Sequence, residues 1–202
     1  MENRLLVATS NQGKLREIRR LLSDIDVCVV GLEDYPGVIL PPETGDSFSA
    51  NAVAKAQAAA QLSRCPAVAD DSGLEVEALG GEPGVRSARY AGEEADDAAN
   101  NRLLLARLQG ENSRSARFVC ALAYCLPGHL PHVVVGECCG EILDVPRGTN
   151  GFGYDPLFYL PELGKTLAEL TVDDKNRISH RASALQVAKP GLVAMLARAG
   201  GG

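Results

Sequence analysis

Short apolar runs alternate along this chain with segments in which apolar residues recur at helical spacing. Residues 5–9 form the first apolar run, which ends in Thr-Ser-Asn. The period of a helix then follows in Leu15, Ile18, Leu21 and Leu22. This order predicts a strand, a tight turn and a helix, with the turn at the N-terminus of the helix.

The rest of the chain continues the mixture of strands and helices. Strands are predicted over residues 27–32, 66–68 and 74–76, and turn residues at 70–73 are expected to end the second of these. Helices are predicted over 48–62, with Ser47 as the N-cap, over 96–108, and over 179–199 with a kink or break at Pro190. Residues 116–126 and 132–143 predict a hairpin. The sequence therefore predicts one α/β domain over residues 1–202, with a mixed sheet.

Charge and composition exclude several classes of protein. The net charge of -6 and the pI near 5.1 argue against a broad surface for nucleic acid. The apolar run at the N-terminus is too short for a signal-peptide core or a membrane span, so we expect a cytoplasmic protein with no membrane partner. The six cysteines include no Cys-x-x-Cys pair, which predicts free thiols, and Cys138 and Cys139 should point to opposite faces of a strand.

Residues 9–14, Thr-Ser-Asn-Gln-Gly-Lys, place hydroxyls, amides and a lysine where a strand enters a helix. Free backbone N–H groups and the helix dipole favour an anion there, so a phosphate would fit. A Walker loop is excluded because Ala8 stands at its first glycine position and Leu15 follows Lys14. The alternative is an ordinary helix cap with a solvated lysine.

Asp70 and Asp71 are adjacent carboxylates at the end of a predicted buried strand. This arrangement is costly unless a cation or hydrogen bonds stabilise the negative charge. Glu43 lies in a loop that the predicted helix start at Ser47 brings near the sheet edge, so it could complete a magnesium site with one or both aspartates. The alternative is a solvated turn.

Two further segments carry groups that could bind a flat, polar ligand. Residues 148–156, Gly-Thr-Asn-Gly-Phe-Gly-Tyr-Asp-Pro, place three glycines around Phe152, which could stack on a base. The dinucleotide fingerprint is excluded because Pro156 stands at its last glycine. Residues 175–181 bring several donors to a predicted helix start. The alternatives are a surface loop with Phe152 in the core, and a solvated basic turn.

Taken in order, these segments resemble the inosine/xanthosine triphosphate pyrophosphatase family. The resemblance covers nearly the whole chain and is carried by residues 9–14, 43–45, 47–48, 51–52, 70–74, 84–92 (GVRSARYAG), 117–118, 148–156 and 175–181. It implies a Mg²⁺-dependent enzyme that hydrolyses ITP, dITP and XTP to the monophosphate and pyrophosphate. Ala50 departs from the pattern, since many relatives have an acidic residue there.

The resemblance also implies roles for individual residues. Glu43 and Asp71 resemble the magnesium ligands, Asp71 is the expected general base, and Asp70 is a supporting carboxylate. Lys55 resembles a second cationic clamp beside Lys14. The residues implied to bind substrate are Thr9, Ser10, Asn11, Gln12, Gly13 and Lys14 for the triphosphate, Ser72 beside it, Phe152, Gly153, Tyr154 and Asp155 for the base, and Lys175, His180 and Arg181 for the nucleotide and the oxygen at position six of its purine.

The family's fold is an elongated mixed β-sheet flooring a cleft between two lobes, with helices packed around it, and the usual assembly is a homodimer. A non-catalytic nucleotide-binding or sensing protein remains an alternative, as does an enzyme for pyrimidine or ordinary triphosphates. The adjacent aspartates argue against mere binding, because negative charge beside a triphosphate is useful for metal-assisted hydrolysis.

Overall fold

A computed structural model describes residues 3–94 and 96–200. The strands are β1 (Arg4–Val7), β2 (Cys28–Val30), β3 (Ala67–Val76), β4 (Ser115–Cys125), β5 (His132–Ile142), β6 (Phe158–Leu160) and β7 (Lys165–Thr166). The α-helices are α1 (Gln12–Leu21), α2 (Phe48–Ser63), α3 (Asp97–Arg107), α4 (Val172–Ile178) and α5 (His180–Gly200). Short 3₁₀ helices occur at Leu32–Asp34, Glu77–Leu79, Gly84–Arg89 and Leu167–Glu169.

The strands form one mixed sheet in the order β2-β1-β3-β4-β5-β6-β7. Strand β1 is parallel to both β2 and β3, whereas β6 is antiparallel to both β5 and β7. The predicted α/β fold with a mixed sheet is therefore confirmed. The strands of the predicted hairpin, β4 and β5, are neighbours in this sheet.

Strand β3 runs unbroken through the two aspartates, so the turn expected at residues 70–73 is wrong. Eight of its ten residues are buried, and only Ser72 and Glu75 are partly exposed, so the buried side chains must be apolar or paired. Lysine and arginine side chains pair with the carboxylates inside the protein. Because these ion pairs stabilise the buried carboxylates, the strand can continue through Asp70 and Asp71 without a turn that exposes them to solvent.

Helix α5 continues through Pro190, so the break expected there is wrong. Pro190 lies on the exposed side of the helix, whereas Leu185, Ala188 and Leu192 on the other side are buried in a core. Packing of that apolar face stabilises the helix despite the hydrogen bond that proline cannot donate.

The other helix predictions agree closely with the structure. Ser47 caps α2, with its hydroxyl accepting from the N–H of Ala50, and Asp96 caps α3 through the N–H of Ala99. Helix α4 was not predicted, because its seven residues are mostly polar.

The described residues group into two compact units, each with its own apolar core. Unit 1 contains residues 3–71, 120–136 and 181–200, and its core includes Leu5, Val7, Ile18, Leu122, Leu185 and Leu192. Unit 2 contains residues 72–94, 96–119 and 137–180, and its core includes Leu74, Leu104, Phe118, Tyr154, Phe158 and Leu167.

All six cysteines belong to the described residues, and each is a free thiol. Cys138 is buried and Cys139 is exposed, which confirms that the two point to opposite faces of β5. Within residues 3–94 and 96–200, no helix combines the length and apolar character needed to cross a bilayer.

Candidate active site

The predicted phosphate site lies at the N-terminus of α1, in unit 1. Asn11 is the N-cap, and its Oδ1 accepts hydrogen bonds from the N–H groups of Gly13 (2.8 Å) and Lys14 (3.1 Å). Thr9 is buried, and its hydroxyl accepts from the N–H of Asn11. A helix cap is therefore present, and the exposed side chains of Ser10, Asn11 and Gln12 surround it.

Lys14 is not the solvated lysine of the alternative interpretation. Its side chain is only 14% exposed, and its Nζ lies 3.1 Å from Oδ2 of Asp70. The first turn of α1 thus directs a cation at the predicted acidic pair. This connects the predicted phosphate site to the carboxylates of β3.

Asp70 is fully buried and binds two cationic side chains. Its Oδ2 accepts from Nε (3.2 Å) and Nη2 (2.9 Å) of Arg181, in addition to the contact with Lys14. Arg181 also donates through Nη1 to Glu17 of α1. Burial raises the pKa of Asp70, but the charges of Lys14, Arg181 and Lys55 outweigh it and hold that pKa well below its usual value.

These contacts assign Asp70 and Arg181 to one buried network within unit 1. Asp70 pairs with both cations, and its role as a supporting carboxylate of the site stays a prediction. The guanidinium of Arg181 faces two carboxylates, so its predicted part in reading a purine oxygen stays a prediction. Glu17 was missed by sequence analysis, although a glutamate among the buried residues of an amphipathic helix is a signal that could have identified it.

Glu43 and Asp71, the predicted metal ligands, converge on one side chain of α2. The Nζ of Lys55 lies 2.5 Å from Oε1 of Glu43 and 3.8 Å from Oδ1 of Asp71, and it also donates to the carbonyl of Asp70 (2.7 Å). Burial lowers the pKa of Lys55, but Asp70, Asp71 and Glu43 together raise it above its usual value. The lysine is therefore a protonated cation between the two carboxylates.

Asp71 differs electrostatically from its neighbour Asp70. Burial raises its pKa above the usual value, and the nearby charge of Glu43 acts in the same direction, against Lys55, a hydrogen bond from Asn51 and Lys14. A carboxylate with a raised pKa binds a proton more readily, which suits a general base.

The donor set of this cluster fits a magnesium ion. Mg²⁺ is usually bound by one or two carboxylates together with substrate phosphates and water. Glu43 and Asp71 come from separate elements, yet both carboxylates face the same positive charge, the ammonium of Lys55. Among the described residues, no group of three or more His, Cys, Asp or Glu side chains forms a complete metal cage.

Asn51 is a second residue of this cluster that sequence analysis did not assign to the site. It is 3% exposed, donates from Nδ2 to Oδ2 of Asp71 (2.8 Å), and accepts at Oδ1 from the N–H of Gly45 (2.8 Å). A buried asparagine within an alanine-rich helix was the available signal. Ser72 follows Asp71 in β3 and is half-buried.

The predicted base-binding loop lies in unit 2 and is organised by Asp155. Oδ2 of this buried side chain accepts from the N–H of Phe152 (2.9 Å) and from Nζ of Lys175 (2.6 Å). Gly151 has a φ of 78°, and a Cβ there would collide with the same carboxylate. The loop thus needs glycine at this position in order to wrap around Asp155.

Phe152 is half-buried, so the alternative that placed it in the core is wrong. The ammonium of Lys175 lies 4.8 Å from the centre of its ring, which is a cation–π contact. Lys175 is itself buried, so the solvated basic turn is also excluded for this residue. Aromatic ring, ammonium and carboxylate therefore form one compact group.

The remaining predicted base-site residues of unit 2 have structural contacts. His180 is buried and stacks on Phe118, with ring centres 4.8 Å apart and planes 15° apart. The hydroxyl of Tyr154 donates to the carbonyl of Ser87, which makes this side chain part of the core. Gly153 is held by Asp97, which accepts from its N–H, and by Asn101, which donates to its carbonyl. Sequence analysis missed both α3 residues, because two polar residues in a helix carry no signal of their own.

This chain is similar to known proteins over nearly its whole length. The model of the Ham1 family matches residues 5–190. A protein of Geobacillus kaustophilus named dITP/XTP pyrophosphatase is 53% identical over 183 residues, which are 90% of this chain and 90% of that protein.

Solved structures show the same fold. A HAM1 protein from Coxiella burnetii has a TM-score of 0.87 and 40% identity, covering 96% of this chain and 100% of that one. The Staphylococcus aureus Ham1 protein has a TM-score of 0.83 and 42% identity, covering 94% of this chain and 97% of that one.

Proposed function

The chain belongs to the Ham1 family, and from its site we propose that it hydrolyses non-standard purine triphosphates such as dITP, ITP and XTP to the monophosphate and pyrophosphate. Relatives about half identical to it carry the name dITP/XTP pyrophosphatase. One observation within this chain supports the proposal above others: Glu43 and Asp71 meet at Lys55, while Lys14, from the first turn of α1, contacts Asp70, the neighbour of Asp71 in β3.

Hydrolysis between the first and second phosphates requires charge neutralisation and an aligned water. Lys14 and Lys55 are the cations that neutralise phosphate oxygens. Asp71 takes the proton of the attacking water as the proposed general base. Asp70 takes no part in proton transfer, because two cations hold it ionised, and it keeps Lys14 oriented.

Mg²⁺ is the proposed cofactor, and Glu43 and Asp71 are the residues that would hold it. When bound, such an ion supplies neutralisation of the phosphate charge and of the leaving pyrophosphate. Lys55 now pairs with both carboxylates, so we propose that its ammonium turns to the phosphate oxygens when the ligands are engaged.

Base selection is assigned to the group around Phe152. The ring provides a stacking surface, and Lys175 and His180 of the same unit are the proposed donors to the oxygen at position six. An adenine presents an amino group there, so donors would face a donor and stay unsatisfied. The same reasoning favours purines with an oxygen at this position over ATP.

The relatives' names are those of enzymes, which favours catalysis over the non-catalytic sensing alternative. We further propose a homodimer located in the cytoplasm. The free state of all six cysteines is consistent with a reducing compartment.

The test compares kcat/KM for dITP, XTP and ATP with Mg²⁺ present. We expect a preference of at least roughly 100-fold over ATP, because unsatisfied buried donors discriminate strongly.

Asp71→Asn should retain nucleotide binding in equilibrium dialysis but lose at least roughly 100-fold in kcat. Asp26→Asn, a change at an exposed carboxylate of the same unit, is the control. Equal use of ATP would refute the proposed substrate class, and normal turnover by Asp71→Asn would refute its role.

A further inference from the structure

Asn51 connects the two elements that carry the proposed metal ligands. Its carboxamide is 3% exposed and lies in the first turns of α2, one helical turn before Lys55. Residues four apart share one face of a helix, so both side chains are directed at the same region. Lys55 forms ion pairs with Glu43 and Asp71, whereas Asn51 forms directional hydrogen bonds with Asp71 and with the backbone of Gly45.

Each end of the Asn51 amide has a partner of the matching kind. Nδ2 donates to Oδ2 of Asp71 at 2.8 Å, and Oδ1 accepts from the backbone N–H of Gly45, also at 2.8 Å. Flipping the amide would place a donor against an N–H and an acceptor against a carboxylate. One orientation alone satisfies both contacts, so the amide fixes Asp71 relative to the loop that carries Glu43.

Gly45 allows the loop to approach this amide closely. A Cβ at position 45 would lie 2.6 Å from Oδ1 of Asn51 and 3.0 Å from the Cβ of Ala50. Both are tighter than ordinary contacts, and one of the groups would have to move. Glu43 lies two residues away, so displacing this backbone would displace its carboxylate.

We propose that Asn51 is a positioning residue that sets the distance between Glu43 and Asp71, and thereby the affinity of this pair for a divalent cation. The proposal rests on the proposed function, since it assigns the two carboxylates to metal binding. In this role Asn51 acts through Asp71 and Gly45 and is not itself a proposed ligand of the cation. Outer contacts of this kind typically change metal affinity by about 10- to 100-fold when removed.

The experiment measures binding of Mn²⁺ by EPR in the presence of an inosine triphosphate analogue with a methylene group between its first two phosphates. Half-saturating Mg²⁺ for turnover and the melting temperature are measured alongside. We expect Asn51→Ala to weaken Mn²⁺ binding and raise the half-saturating Mg²⁺ concentration by about 10-fold or more. Gly45→Ala should do the same with Asn51 left in place, because it forces the loop away from the amide.

Each of these variants has a control of the same substitution type: Asn100→Ala for Asn51→Ala, and Gly37→Ala for Gly45→Ala. Asn100 is also 3% exposed, and both ends of its amide are likewise hydrogen-bonded, in this case to the backbone of Ala88 and Ala91 in unit 2. Gly37 precedes Glu43 in the same connection, and a Cβ there would meet nothing within 4 Å. Asn100→Ala should lower the melting temperature and Gly37→Ala should change little, and both should keep the wild-type Mn²⁺ affinity within about twofold.

The outcomes separate the inference from the function on which it rests. If Asn51→Ala and Gly45→Ala lower the melting temperature but keep wild-type cation affinity, Asn51 only stabilises the start of α2 and the inference is wrong. Should Asn51→Ala fail to fold, Gly45→Ala decides alone. If the wild type binds Mn²⁺ but releases no pyrophosphate from any purine triphosphate, the proposed function fails while the Mn²⁺ comparison still decides the role of Asn51. A wild type that binds no Mn²⁺ overturns the inference as well.

Discussion

Asp70 and Asp71 are neighbours in β3 whose carboxylates have opposite pKa shifts. Successive residues of a strand point to opposite faces, and here Asp70 meets Lys14 and Arg181 whereas Asp71 meets Lys55 and Asn51. The two cations lower the pKa of Asp70 despite its burial, while burial raises the pKa of Asp71. One residue is therefore held ionised and the other can accept a proton.

The lowered pKa of Asp70 predicts how stability depends on pH. The ion pairs contribute their full stability above the unfolded pKa of about 4, and this contribution is lost progressively as the pH falls from there towards the lower folded value. Asp70→Asn removes the carboxylate that pairs with Lys14 and Arg181 in the interior of unit 1, which should cost about 3–5 kcal/mol at pH 7. Urea unfolding at pH 7 and pH 3 measures this, and the difference from wild type should narrow at pH 3.

A matched control for this prediction is Asp24, whose carboxylate pairs with Lys189 at the surface of the same unit. Asp24→Asn should change the free energy of unfolding little, because exposed ion pairs contribute little. If Asp70→Asn were no less stable than Asp24→Asn at pH 7, the network would not stabilise the fold.

At the scale of elements, sequence patterns predicted the helices that have an apolar face and a capping residue. They did not predict the long-range contacts that override a local turn or helix-breaking signal. Ser47 and Asp96 were sufficient to place the starts of α2 and α3. The turn residues at 70–73 and Pro190 were misleading, because distant partners paired the carboxylates and core packing stabilised α5. Neither effect is visible in local spacing. The partners of Asn51 and Glu17 are also remote in sequence, so the local pattern could have drawn attention to these two residues but could not have predicted their contacts.

Helix α5 offers two adjacent substitutions with opposite expected effects. Pro190 is exposed, so Pro190→Ala restores a helical N–H donor without leaving a cavity and should stabilise the protein by about 1–2 kcal/mol. Gly191→Ala also improves helix propensity, but its Cβ would collide with the hydroxyl of the buried Tyr124. Thermal unfolding should show a higher melting temperature for the first variant and a lower one for the second. A lower value for Pro190→Ala would mean that proline is required there.

For the molecule as a whole, a series of short segments in sequence order indicated the family, and the mixed sheet and the family comparison agree with them. The convergence expected of Glu43 with Asp70 and Asp71 is present within unit 1. That Glu43 lies near the two aspartates could be predicted from the sequence, because strand ends and helix starts lie at the edges of a sheet. The sequence could not predict that a lysine would lie between Glu43 and Asp71, or that Arg181 would join Asp70 and Glu17, because such pairings depend on side-chain geometry.

The central claim is that this site cleaves a purine triphosphate between its first and second phosphates. ³¹P NMR of XTP incubated with the protein and Mg²⁺ tests it most directly, because all products are seen in one spectrum. We predict equal amounts of xanthosine monophosphate and pyrophosphate, with no reaction when EDTA removes the metal. Xanthosine diphosphate and orthophosphate as the products would contradict the account.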